Sequence, residues 1–226
     1  MTMPLAFGGI DLSLSIESED LSVLMRQKIE TVEELSKTLV DNRINLRLNL
    51  VFEKRTLLYG VNEFCGYIGE NKSTVLASIL TFDNIVFSIK KLDLFGNHVD
   101  LYDAFLEDSI RIKSGFSEVS FIRIFSFEQA RFHVAEYSRK PPTNPLWDAV
   151  QKNDLTTIKN WLFSFDPEVV IIAYYTIKEF KLIKDEKVLN RINYLKKQND
   201  VVVKYLYNDI ALEQILTSID LGETWR

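Results

Sequence analysis

The order of hydrophobic and polar positions in the first fifty residues predicts a strand, a helix and a second strand. Apolar and polar residues alternate over 10–16 and again over 44–50, as they do in a strand with one buried face. Between these segments, apolar residues recur every three or four positions over 21–39, which is the spacing of an amphipathic helix. The side-chain oxygen of Ser18 or Asp20 would cap its start. We therefore expect one continuous N-terminal helix.

Turn signals then divide the chain into a series of further strands. Clusters of Gly, Asn, Asp and Ser separate segments that are rich in β-branched and aromatic residues. Because the connections between most of these segments are short, antiparallel pairing of neighbouring strands is favoured over parallel crossovers. The predicted elements are strands over 56–67, 74–82, 85–92, 119–127 and 130–137 and a short helix over 101–106.

The last third of the chain shows the spacing of short helices. Three of the five prolines lie within 138–145, and proline disrupts strand and helix hydrogen bonding, so we place a boundary there. Further on, Asp166, Pro167 and Glu168 supply a cap, a proline at the first helical position and a first-turn acid, which together indicate a helix start. The other predicted helices begin after Asp154 and cover 185–197, 201–208 and 211–219.

These patterns together predict the fold class α+β, with a mainly antiparallel sheet, an N-terminal amphipathic helix and a C-terminal helical bundle. We predict an α+β sheet domain over 1–140 and a helical subdomain over 141–226. The helical subdomain either packs on the sheet domain as one unit or forms a separate unit. With 226 residues and 46% hydrophobic content, the chain can bury a sizeable core in either arrangement.

Composition narrows the classes of function. A formal net charge of -5 argues against nucleic acid as the main ligand, because phosphate binding needs a basic surface. The first residues lack the positive charge and apolar run of a signal peptide, and no apolar run reaches the roughly 18 residues that a membrane span needs. Cys65 is the single cysteine, so no disulfide can form within the chain. We expect a cytoplasmic protein that binds no membrane.

The sequence contains no complete catalytic, metal or nucleotide motif. Residues 66–73 match the phosphate-binding loop except that Asn71 replaces the glycine before the lysine, and we interpret them as a turn between strands. His98 and His133 are the two histidines, and neither has metal-ligand spacing. We expect no cofactor and no metal. An enzyme would need a site assembled from sequence-distant residues, with His98 and Asp100 as acid/base groups.

An acidic segment with interleaved aromatic residues points most directly to a function. Residues 93–108 contain five acids and no lysine or arginine. Acids beside exposed aromatics suit recognition of a basic protein. We therefore expect a non-enzymatic protein-binding protein, an inhibitor or immunity-type protein that blocks a basic partner, with a structural or assembly subunit as a further alternative to an enzyme. The predicted partner-binding residues are Asp100, Tyr102, Asp103, Glu107 and Asp108.

Overall fold

The structure is a computed structural model, which describes residues 21–42, 44, 50–68, 75–92, 98–103, 105–115, 119–120, 145–182, 185–205 and 208–222. The elements are α1 (Val32–Asp41), β1 (Leu50–Thr56), a 3-10 turn (Leu58–Gly60), β2 (Val61–Ile68), β3 (Val75–Phe82), β4 (Ile85–Leu92), β5 (His98–Tyr102), α2 (Phe105–Ser114), α3 (Trp147–Gln151), α4 (Leu155–Leu162), α5 (Pro167–Phe180), α6 (Glu186–Leu195), β6 (Val202–Tyr205), β7 (Asn208–Ala211) and α7 (Leu212–Leu221). The predicted α+β class is confirmed.

Strands β1 to β5 form one antiparallel sheet in chain order. Each strand pairs with the next one along the chain, as the short connections predict. Residues 76–82 of the central strand β3 are all buried, so both faces of the sheet are covered at its centre. The strands predicted over 74–82 and 85–92 are confirmed as β3 and β4.

Different parts of the chain cover the two faces of this sheet. Phe64 and Ile79 belong to a buried cluster that includes Leu35 of α1. Leu80, which follows Ile79 and therefore points to the opposite face, belongs to a larger cluster that includes Ile172 of α5. The sheet is thus the middle layer between an N-terminal segment and the C-terminal helices.

The prediction of one continuous N-terminal helix is wrong. Residues 21 and 22 are helical, but the chain turns at Arg26, where φ is 65° and the backbone is left-handed. The amide of Arg26 then donates to the Val86 carbonyl at 2.9 Å, and the Val86 amide donates to the Gln27 carbonyl at 2.9 Å. The helical spacing correctly indicated which residues are buried, but pairing with β4 interrupts the helix.

Helix α1 begins only after this interruption. Thr31 caps it, because its side chain accepts a hydrogen bond from the Glu34 amide at 3.1 Å. The carboxylate of Glu34 in turn accepts from the main-chain amide of Glu30 at 2.6 Å. The caps predicted from the sequence, Ser18 and Asp20, lie outside the described residues, as does the strand predicted over 10–16.

Several other sequence predictions need correction in position. The strand predicted over 56–67 is divided, because Tyr59 and Gly60 have φ angles of 61° and 76° in the turn between β1 and β2. The helix predicted over 101–106 is misplaced, because β5 continues to Tyr102 and α2 begins at Phe105. Leu50, the last residue of the strand predicted over 44–50, is the first residue of β1, and residues 45–49 lie outside the described residues. Of the strand predicted over 119–127 only residues 119 and 120 are described, and the strand predicted over 130–137 lies outside the described residues.

The helices predicted from capping signals in the C-terminal half are confirmed. Asp154 accepts from the Thr157 amide at 3.1 Å at the start of α4, and Asp166 accepts from the Glu168 amide at 2.9 Å at the start of α5. Helices α6 and α7 match the predictions over 185–197 and 211–219.

The helix predicted over 201–208 is wrong. Strands β6 and β7 form an antiparallel hairpin there, in which Val202 pairs with Ala211. The run of three valines at 201–203 favours a strand, because β-branched side chains fit a pleated surface better than a helix.

The C-terminal helices share one hydrophobic core with the sheet. Leu58 and Val61 of the sheet region belong to the same buried cluster as Val170 of α5 and Leu216 of α7. The predicted boundary near residue 141 lies outside the described residues, and the division into two domains stays a prediction.

Gly66 in β2 provides a test of packing on the α1 side of the sheet. A Cβ at this position would lie 3.0 Å from Cε1 of Phe52 and 3.2 Å from Cβ of Ala77. Gly66→Ala is therefore expected to lower the free energy of unfolding by about 1–3 kcal/mol through overpacking, measured by urea denaturation. Adding Phe52→Leu should recover part of the loss. An unchanged midpoint for G66A would contradict this packing.

Candidate functional site

The predicted partner-binding surface lies on β5 and the start of α2. Asp100 and Tyr102 are two residues apart on β5 and therefore share a face. Tyr102 is half-exposed, and its ring packs edge-on against Phe87 with ring centroids 6.2 Å apart. Asp108 lies one turn into α2 and is exposed. We call Asp100, Tyr102 and Asp108 the β5–α2 surface.

Both acids of the β5–α2 surface have a basic neighbour within the chain. Lys90 occupies the position opposite Asp100 on β4, and its Nζ lies 2.9 Å from Asp100 Oδ2. Arg111 Nη1 lies 3.1 Å from Asp108 Oδ1, one helical turn away. The acid is the more exposed partner in both pairs, at 55% against 34% and at 79% against 36%. The two carboxylates therefore remain accessible in front of their own bases.

Asp103 has the opposite arrangement. Its carboxylate accepts a hydrogen bond from Arg26 Nε at 2.6 Å, and it is 10% exposed whereas Arg26 is 70% exposed. This hydrogen bond and the charge of Asp103 raise the pKa of Arg26. The Asp103 amide also donates to the Phe87 carbonyl at 2.8 Å. Asp103 thus connects the end of β5 to the N-terminal segment, and the arginine, not the acid, faces solvent.

The remaining predicted residues are placed by their backbone alone. Glu107 lies in the first turn of α2 and His98 is the first residue of β5, and neither side chain is among those described. His133 lies outside the described residues. Acid/base roles for His98 and Asp100 and a contact role for Glu107 therefore stay predictions.

The near-match to a phosphate-binding loop has an antiparallel context. Gly66 lies inside β2, which pairs antiparallel with β3, and residues 69–74 lie outside the described residues. A phosphate-binding loop instead connects a strand to a helix, whose N-terminus faces the phosphate. This difference favours the interpretation of the segment as a strand connection.

A buried ionic cluster joins the sheet to α5. Arg55 of β1 pairs with Glu63 of β2, and its Nε donates to Glu63 Oε2. Its Nη1 donates to Glu168 Oε1 in the first turn of α5 at 3.0 Å. The Ser78 hydroxyl donates to the other oxygen of Glu63. Both glutamates are buried, and we call these four residues the Arg55 cluster.

The electrostatics of the Arg55 cluster indicate a structural role. Burial alone would lower the pKa of Arg55, but the charges of Glu63 and Glu168 outweigh it and hold this pKa well above its ordinary value. A guanidinium that stays charged offers no proton to a reaction. The sequence signal for the cluster is a glutamate at position 63 of β2, on the strand face that also carries Val61, Cys65 and Tyr67.

A second ionic cluster lies at the end of α7. The Tyr174 hydroxyl donates to Asp220 Oδ1 at 2.6 Å, Lys178 Nζ lies 2.7 Å from the same oxygen, and Lys196 donates to Oδ2. Burial would raise the pKa of Asp220, but these three donors outweigh it and lower the pKa to about 2. We call these four residues the Asp220 cluster.

Among the described residues, no group of three or more His, Cys, Asp or Glu side chains could hold a metal ion. Over the same residues, every helix is too short or too polar to cross a membrane.

Comparison with known proteins yields no relative: no protein-family model, no curated protein and no solved structure matches this chain.

The Arg55 cluster can be tested by removing its cation. Arg55→Met is expected to lower the free energy of unfolding by about 3–5 kcal/mol, because Glu63 and Glu168 would remain buried without a countercharge. Urea denaturation at neutral pH measures this loss. Arg111→Met is the control, since the exposed pair with Asp108 contributes less than about 1 kcal/mol. Equal losses in the two variants would contradict the structural role.

The Asp220 cluster predicts a pH-dependent contribution to stability. The folded-state pKa of Asp220 is lowered to about 2, below the unfolded value, so its contribution is complete above about pH 5 and is lost as the pH falls toward 2. Asp220→Asn should therefore cost about 1 kcal/mol at neutral pH, and the difference should narrow between pH 5 and pH 3. Thermal unfolding of both proteins across this range measures it. A pH-independent difference would contradict the assignment.

Proposed function

We propose that this protein is a non-enzymatic cytoplasmic binding protein, of inhibitor or immunity type, that places the β5–α2 surface against a basic site of another protein. The observation that carries the proposal is the half-exposed ring of Tyr102, held against Phe87 beside the outward carboxylate of Asp100. An aromatic ring with a fixed position gives contact area at low entropic cost, and outward carboxylates steer a basic partner toward it.

The exposed ion pairs of this surface suit exchange with a partner. Lys90 and Arg111 each contact one oxygen of an acid that is more exposed than they are. Exposed pairs of this kind contribute about 0–1 kcal/mol, so replacing the internal base by an arginine or lysine of a partner costs little. Asp100 and Asp108 are therefore the acids that the proposal uses for contact.

Asp103 has a different part in the proposal. Because its carboxylate is nearly buried against Arg26, it positions the end of β5 and does not meet the partner. Glu107 is retained as a contact residue from the sequence pattern alone. Two other function classes remain as alternatives: an enzyme that uses His98 and Asp100, and a structural or assembly subunit. An affinity-capture experiment distinguishes them from the proposal by which proteins are captured.

The proposal is tested by affinity capture from the native lysate at low and high salt, with mass spectrometry of the bound proteins. We compare the wild type with Asp100→Asn/Asp108→Asn, with Tyr102→Ala and with Glu33→Gln, whose exposed acid on α1 is the matched control. The wild type should retain one basic protein at low salt and lose most of it at high salt. Tyr102→Ala should weaken binding by at least about 10-fold, the double variant should remove the salt dependence, and E33Q should change neither.

Three outcomes would contradict the proposal in different ways. Equal capture by all four proteins would place the interface elsewhere on the chain. Capture of copies of this chain would favour an assembly subunit. Capture of no stoichiometric partner at either salt concentration would remove the binding function and favour the dispersed-site enzyme.

A further inference from the structure

The donors of the Asp220 cluster belong to a well-packed part of the fold. Tyr174 and Lys178 are four residues apart on α5, so they lie on the same face of a helix that is buried along most of its length. Lys196 follows the last residue of α6, and its Nζ lies 5.8 Å from the centre of the Tyr174 ring. A phenol hydroxyl and two ammonium groups thus converge on one point from two helices.

The acceptor comes from the last turn of α7. Asp220 is the residue before the last of α7, and the exposed Leu221 and the left-handed Gly222 follow it. The last turn of α7 contains no basic residue, and a negative charge near a helix C-terminus is unfavourable because the helix dipole is negative there. The helix itself therefore disfavours this carboxylate, and the donors of α5 and α6 hold it in place.

We infer that Tyr174, Lys178 and Lys196 form an oxyanion-binding site that the Asp220 carboxylate occupies as an internal ligand, and that the external ligand it takes is a doubly charged phosphate group. A phosphate dianion offers more acceptor oxygens and more charge to these donors than a carboxylate does. Its binding displaces Asp220 and releases the last turn of α7.

The first test uses the wild-type protein and inorganic phosphate. Backbone hydrogen exchange is compared in sodium phosphate and in sodium chloride at equal ionic strength and pH. Amides of residues 217–222 should exchange faster in phosphate, whereas those of α1 should not change. Acetate, a singly charged carboxylate, should have a smaller effect than phosphate, and O-phosphoserine should match phosphate if a phosphate monoester is accepted. Equal exchange in phosphate and chloride would overturn the inference.

The second test removes the internal ligand. Because the tethered carboxylate competes at a high effective concentration, Asp220→Asn should bind phosphate at least about 10-fold more tightly than the wild type in calorimetric titrations. Adding Lys196→Gln to D220N should abolish this gain, and adding Tyr174→Phe should reduce it. Equal phosphate affinity for D220N and D220N/K196Q would overturn the inference, and the exchange experiment decides the question if D220N does not fold.

Discussion

The buried guanidinium of Arg191 is the interaction on which the arrangement of the C-terminal half depends. Its Nε donates to the Leu162 carbonyl at 3.0 Å and its Nη2 to the Ser164 carbonyl at 3.1 Å. These carbonyls lie at the end of α4, where the helix itself supplies no partners. The rings of Tyr59 and Tyr194 lie 4.8 Å and 5.2 Å from its Cζ. Burial lowers the pKa of Arg191 to about 10, so the side chain is still charged at neutral pH.

The connection between α4 and α5, which Arg191 contacts, is also bonded to the sheet. The Phe165 carbonyl accepts from the Leu58 amide at 3.1 Å, which fixes the connection to the turn between β1 and β2. Asp166 then caps α5, and Glu168 in the first turn of this helix accepts a hydrogen bond from Arg55. Arg191 holds the start of the connection between α4 and α5, and Arg55 holds its end through Glu168. Loss of the charge of either arginine would therefore weaken the attachment of this connection. This dependence explains how a chain with few sequence motifs can still have a specific arrangement of helices on a sheet.

The parts of this fold that the sequence predicted correctly are those set by local contacts. The cap, proline and acid at the start of α5 act within one helical turn, and turn residues define β3 and β4 over a few positions. The errors occur where distant contacts override a local pattern. Around Arg26 the spacing predicted a helix, but main-chain pairing with β4 interrupts it. At β6 the spacing also predicted a helix, but the strand forms a hairpin with β7 and Val203 packs in the same core as Leu216 of α7. Periodicity predicts which residues are buried more reliably than it predicts which element contains them.

In the candidate site, too, local sequence does not determine which charged side chains face solvent. Sequence composition identified Asp100 and Asp103 as equivalent acids, but Lys90 lies behind the first and Arg26 lies in front of the second. Arg26 and Asp103 are 77 positions apart, so no local pattern could reveal which member of the pair faces solvent. In the Arg55 cluster, residues of the same types form a structural connection because water is excluded from them. The availability of a carboxylate for recognition therefore depends on which basic residue it pairs with and on which of the two side chains is more exposed.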